Sequence, residues 1–214
     1  MRSKDDIGKT VDKEDNLARM ILIEQGIDAA YDIKEVVSRS YAFCDCILGI
    51  VEYAREVGQE DSLEKVPALF KEIVNKGAYV RAQSFYAVAL ASFEHEEEAE
   101  SVLLEAIKNS TQIKDDFDRS DAILDIATAA GDISFLLERH ELINTALGLS
   151  DNLTDGQKAY LYGYLSVILT GEESTSLMRK AVDIANSIKD PITKSKVYLE
   201  LSTLSTNFNK KMEE

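Results

Sequence analysis

Two histidines, two cysteines and 39 carboxylates are the side chains of this chain that could hold a metal, attack a substrate or move a proton. A di-metal carboxylate site on paired helices needs Glu-x-x-His turned inward, but His95 lies three residues after Ser92 and His140 three after Leu137. The tract Glu94-His95-Glu96-Glu97-Glu98 reads as a solvated acidic turn, and His140, between Glu138 and Glu141, as a helix-surface residue beside carboxylates. Cys44 and Cys46 stand two apart in a helical segment. Their side chains diverge by about 200°, so they share neither a metal nor a bridge, and they read as small buried hydrophobes. Gly8-Lys9-Thr10 mimics the end of a phosphate loop, yet Ser3 replaces the upstream glycine and no strand precedes it. Asp151 to Gly156 opens like a calcium loop, but Leu153 takes a ligand position and Tyr162 replaces the bidentate glutamate. No catalytic, cofactor-binding or metal-binding residue is singled out, and no cofactor is expected. Acid–base catalysis by two carboxylates stays open, because so many acids permit many pairings.

A basic residue, by contrast, recurs. Ile33-Lys34-Glu35-Val36-Val37-Ser38-Arg39, Ile113-Lys114-Asp115-Asp116-Phe117-Asp118-Arg119 and Ile188-Lys189-Asp190-Pro191-Ile192-Thr193-Lys194 are variants of one phrase, and Arg81 and Lys158 keep its basic anchor alone. Anchors at 39, 81, 119, 158 and 194 leave intervals of 42, 38, 39 and 36 residues, within the range of repeat architectures. Such cations could form a ladder lining a groove for carboxylates or phosphates. A cation in the first turn of a helix also opposes the macrodipole and needs an anion nearby. Glu35, Asp115, Asp118 and Asp190 can supply it, and this structural role is the favoured one.

Helices must position these residues. After the anchors come small residues at Ser40, Ala82, Ser120, Ala159 and Ser195, then bulky ones three later at Phe43, Phe85, Ile123, Tyr162 and Tyr198. Spacing of three is one helical face. Four further on, Ile47, Ala89, Ala127, Ser166 and Ser202 are mostly small and would let a neighbouring helix approach. Ahead of the anchors, Leu22, Ile23 and Ile27 match Val102, Leu103 and Ile107, and then Leu177, Met178 and Val182, an amphipathic helical pattern. The pattern predicts ten helices in five pairs. Tyr160-Leu161-Tyr162-Gly163-Tyr164 alternates like a strand, but its four sibling segments place it in a helix. Asp190 before Pro191 reads as an N-cap with proline at the first helical position. Gly131-Asp132 and Gly171 read as helix stops followed by restarts, and Asp61 with Glu64 has capping-box spacing.

Small residues seven apart in the second helices, at Ala82/Ala89, Ser120/Ala127, Ala159/Ser166 and Ser195/Ser202, resemble those of tetratricopeptide-like repeats across residues 14–211. The spacing is longer than that family's 34 residues, and its Trp-x-x-Leu-Gly opening is missing. The resemblance implies an all-α chain folded as a right-handed α-solenoid of about five antiparallel helical hairpins, with a protein-binding role. Residues 1–13 are expected as a disordered polar tail and 14–211 as a single helical-repeat domain.

A formal charge of −15 and a pI of about 4.6 would repel a phosphate backbone, so nucleic acid is not an expected partner. The opening residues carry no apolar signal-peptide core, and no run approaches the roughly 18 apolar residues of a membrane span; a cytosolic protein with no membrane partner is expected. Met20, Ile21, Leu22 and Ile23 put apolar side chains on every face of one turn, which predicts that the N-terminal helix meets another chain, a second copy making a homodimer. Three functions fit: a non-enzymatic adaptor holding another protein, with an acidic groove for a basic segment; an α-helical enzyme or small-ligand binder with a pocket between helix pairs; and a self-assembling structural subunit.

Overall fold

The computed structural model describes residues 13–212, with side chains for 16–205. The expected tail, the phosphate-loop mimic Gly8-Lys9-Thr10 and the polar end of the last helix beyond Ser205 lie outside those residues or their side chains, except that Lys13 already opens a helix. Among the described residues there are ten α-helices and no strand: α1 Lys13–Asp32, α2 Val36–Val57, α3 Val66–Phe70, α4 Lys76–Ser92, α5 Glu96–Ser110, α6 Asp116–Leu136, α7 Glu141–Leu149, α8 Asp155–Ile168, α9 Gly171–Ser187 and α10 Pro191–Met212. The all-α class is as expected. Tyr160 to Tyr164 is indeed helical, inside α8.

The even-numbered helices from α2 onward are packed in sequence, α2 on α4, α4 on α6, α6 on α8 and α8 on α10. Of the others, α1 packs on α2, α5 on α4 and α6, α7 on α6, and α9 on α8 and α10. A polar side chain starts each row helix. Glu35 accepts from the N–H groups of Val37 and Ser38, Asn75 from Ala78, Asp115 from Phe117 and Asp118, Thr154 from Gln157 in a full capping box, and Asp190 from Thr193. Each satisfies backbone donors that no helical carbonyl can reach. The backbone N–H of Ser38 holds the Glu35 carboxyl below its usual range, and the Thr193 hydroxyl, helped by the Thr193 N–H, does the same for Asp190.

These caps correct the register read from the basic anchors. They fall at 35, 75, 115, 154 and 190, intervals of 40, 40, 39 and 36. Arg39, Arg119, Lys158 and Lys194 each lie four residues past a cap, but that place in α4 belongs to Tyr79, and Arg81 is two residues further on. Val80 and Gln83, both buried, therefore occupy the places assigned to Ala82 and Phe85.

Two expected breaks also differ. α6 runs through Gly131, which is buried where α8 crosses: a Cβ there would stand 2.6 Å from Leu165 Cδ2 and 3.1 Å from Ile168 Cδ1. The stop comes at Glu138, in left-handed backbone at φ 55°, with the Arg139 N–H returning to the Ser134 carbonyl. Glu94 ends α4 in the same way, at φ 65°. Asp61 and Glu64 form no capping box; they lie in a 3-10 segment, Glu60–Lys65, that runs into the short α3, where Pro67 has no N–H to give. Gly171, at φ 70°, does mark the start of α9.

The core is continuous from Ala30 to Leu177, with Phe43, Ile47, Leu103, Ile126 and Leu161 fully enclosed, and a smaller cluster joins α8, α9 and α10. Small residues set the spacing. Gly163 lies under α10, where an added Cβ would collide with Leu201 and come within 3.2 Å of Leu204. Gly163→Val should lower stability by about 1–3 kcal/mol through overpacking, read from the urea midpoint; an unchanged midpoint would show that those leucines yield freely.

Candidate functional site

Five residues past their caps Ser40, Val80, Ser120 and Ala159 are buried while Ser195 on α10 is exposed, and one residue later a side chain turns to the row's other face. On α4, α6, α8 and α10 those residues are Arg81, Asp121, Tyr160 and Lys196; one turn later come Phe85, Asp125, Tyr164 and Glu200. Repetition of cap spacing thus places eight side chains along one groove of about 830 Å³, with Thr128 and Asp132 continuing it along α6.

Its electrostatics are uneven. Four acidic and two basic side chains line the groove. Asp132 accepts a hydrogen bond from Tyr164 Oη at 2.5 Å, and Asp121 accepts one from Gln157 Nε2 at 2.6 Å. Lys196 pairs with Glu200 at 3.8 Å. Among the described residues Asp125 has only Arg81, whose Nε stands 3.9 Å away while its guanidinium lies over the Phe85 ring. Burial raises the Asp125 carboxyl from 3.8 to about 6, against the pull of Arg81 and with a push from Asp121. Burial also raises Asp132, despite its Tyr164 bond and the charge of Arg55. The Tyr164 phenol is pushed far up by burial and by Asp132, and Tyr160 is raised by burial and by nearby carboxylates. The two rings lie nearly parallel with centroids 6.1 Å apart.

The other anchors do not line the groove, and three of them tie down turns. Arg119 pairs with Asp116 and reaches the Ile113 carbonyl, Lys158 pairs with Asp151, and Lys194 donates to the Asn186 carbonyl. The structural role holds for these three. Arg119 and Lys158 take Asp116 and Asp151 in place of the expected anions, and Lys194 takes a backbone carbonyl, while Glu35, Asp115 and Asp190 serve as caps. Arg81, the anchor out of register, is the one in the groove.

His95 meets Glu60 at 2.6 Å on the surface, and His140 lies exposed just before α7. Cys44 is buried, its thiol pushed up to about 12, and Cys46 is half-buried. Among the described residues no group of three His, Cys, Asp or Glu side chains could hold a metal, and no helix is long and apolar enough to cross a membrane. Of the N-terminal set, Met20 and Ile23 are half-buried, Ile23 packing on the core, while Ile21 and Leu22 face outward beside Leu17. Compared with known proteins, the chain matches no family model, no curated protein and no solved structure.

The groove was hidden from sequence reasoning. Asp121, Asp125 and Asp132 sit at i, i+4 and i+11, one face of a helix, but they were three acids among 39. Reading Gly131 as a stop also cut Asp132 from its stripe. Asp125 binds its proton near pH 6 when folded and near 4 when unfolded, so between those values the folded state holds more protons and stability falls as pH rises. Asp125→Asn should therefore be more stable than the parent at pH 8, by about 1–3 kcal/mol in urea unfolding, with the gap closing at pH 4. A variant less stable at pH 8 would contradict this.

Proposed function

We propose that the protein is a non-enzymatic adaptor that holds another protein against the groove of α4, α6, α8 and α10. In this reading residues 14–211 form a right-handed α-solenoid of about five antiparallel hairpins, α3 with its 3-10 lead-in standing in for the first helix of the second pair. The plan is that of tetratricopeptide-like repeats, which offer long shared faces to partners. One observation carries the proposal: a groove built from the same face of four successive helices holds four acidic side chains to two basic ones, and its Asp125 carboxylate accepts no hydrogen bond among the described residues. An unbalanced, partly desolvated carboxylate in an open cleft suits a basic segment of a protein, with binding that weakens as salt screens it.

The small-ligand or enzyme reading has one observation in its favour, the Asp125 carboxyl near 6, a value suited to proton transfer. The other acids of the groove already have partners, Asp132 in Tyr164, Asp121 in Gln157 and Glu200 in Lys196, and among the described residues no histidine or cysteine lines it. The adaptor is tested by capture from the native lysate with the parent protein and with Thr128→Arg, which puts a cation in the middle of the groove. A stoichiometric partner should be held by the parent, released by about 0.5 M salt, and lost in the variant. Retention by both proteins at high salt would move the partner to another surface.

Self-association through α1 has its own support in the outward strip of Leu17, Ile21 and Leu22, the last 65% exposed. In light scattering at high concentration a dimer should appear and revert to monomer in Leu22→Asp. A parent protein that stays monomeric removes this homodimer.

A further inference from the structure

The end of the groove where α6, α8 and α10 begin differs from its middle. Phe117 and Ile192, each in the first turn of its helix, are 72% and 80% exposed, and both line the cleft on either side of the start of α8. Large apolar side chains held out in water add almost nothing to folding, and paired beside one cleft they mark a surface awaiting a partner. Deeper along α6 the lining turns polar. Asp121 and Asp132 already accept side-chain hydrogen bonds, and Glu200, more exposed than Asp125, has Lys196 at 3.8 Å. Asp125, with a quarter of its side chain exposed, has among the described residues a single cation, Arg81, 3.9 Å away and itself 45% exposed.

The helix rise fixes the distance between the two regions. Phe117 and Asp125 are eight residues apart on α6, about 12 Å at 1.5 Å per residue. An extended chain covers that in three to four residues. Resting on the adaptor reading above, we propose that the groove binds a short extended peptide of another protein in which a lysine or arginine lies three or four residues from a large apolar residue. The cation sits on the Asp125 carboxylate beside the Tyr160 and Tyr164 rings, and the apolar side chain sits between Phe117 and Ile192. A cation there meets both opposite charge and aromatic surface. An apolar anchor combined with one desolvated charge pair is the arrangement that concentrates binding energy in a few residues.

The probe is a displayed library of random twelve-residue peptides, panned on the full chain at pH 7.5, with the enriched consensus then synthesised and titrated by fluorescence anisotropy. Enriched peptides should share a basic residue three or four positions from an aliphatic or aromatic one. Asp125→Asn should weaken the consensus peptide at least tenfold, and Phe117→Ala and Ile192→Ala about fivefold each. All three substitutions lie outside the enclosed core, and circular dichroism checks that the helices persist. Peptides that enrich without a basic residue, or that bind Asp125→Asn as tightly as the parent, overturn this inference and leave the adaptor standing. A library that yields no binder overturns both.

Discussion

Small side chains between the row helices are the constraint on which the rest of the structure depends. Ala87, Ala127 and Ser166 are fully enclosed, and Gly131 and Gly163 leave no room for even a methyl group without displacing a leucine. Helix pairs settle at separations set by the residues at their contact. Where those residues are small, successive helices lie close and side by side, and positions equivalent along the repeat become neighbours in space. The groove exists because of that closeness. Bulkier residues at the same crossings would separate Asp125 from the rings of the next helix without altering any groove residue.

The caps supply the second half of the design. Five different starts, Glu35, Asn75, Asp115, Thr154 and Asp190, do one job, accepting the free N–H groups of a first turn. Because they recur every 36 to 40 residues, they set the rotation of each row helix and so which side chains reach the groove. Arg119, Lys158 and Lys194 follow the caps rather than define the repeat, each reaching back to the turn that precedes its helix or to the first turn itself. The intervening helices are freer: one of them is reduced to a 3-10 segment and five residues of α3, and the row continues past it.

Within this frame the groove holds an electrostatic imbalance that the fold itself does not need. Asp132 is half-buried but accepts a hydrogen bond from a phenol, and Asp121 is exposed and accepts one from an amide. Asp125 is compensated only in part, which is why its carboxyl holds a proton to about pH 6. Exposed Phe117 and Ile192 stand at the mouth of the same cleft. A carboxylate that costs stability and apolar side chains that contribute none are features that the proposed binding site would account for.

The helical class was legible from the sequence, as were the helix count, the cap at Asp190 and the helical state of Tyr160 to Tyr164, because periodicity and capping are local and each repeat supports the others. Signals that depend on what lies across a crossing misled it. Gly131 carries the chemistry of a stop, yet serves a close approach to Leu165 that no local pattern records. Arg81 looked like a member of the anchor ladder until Asn75 set the register of α4. By itself the sequence determined the helical class and the start of α10, since those follow from hydrogen-bond donors and apolar spacing within a few turns, whereas the register of α4 and its buried face did not follow from it. Only the tertiary structure decided which of 39 acids would matter: the burial and the partners that distinguish Asp125 come from helices 40 residues apart in the chain, brought together by packing.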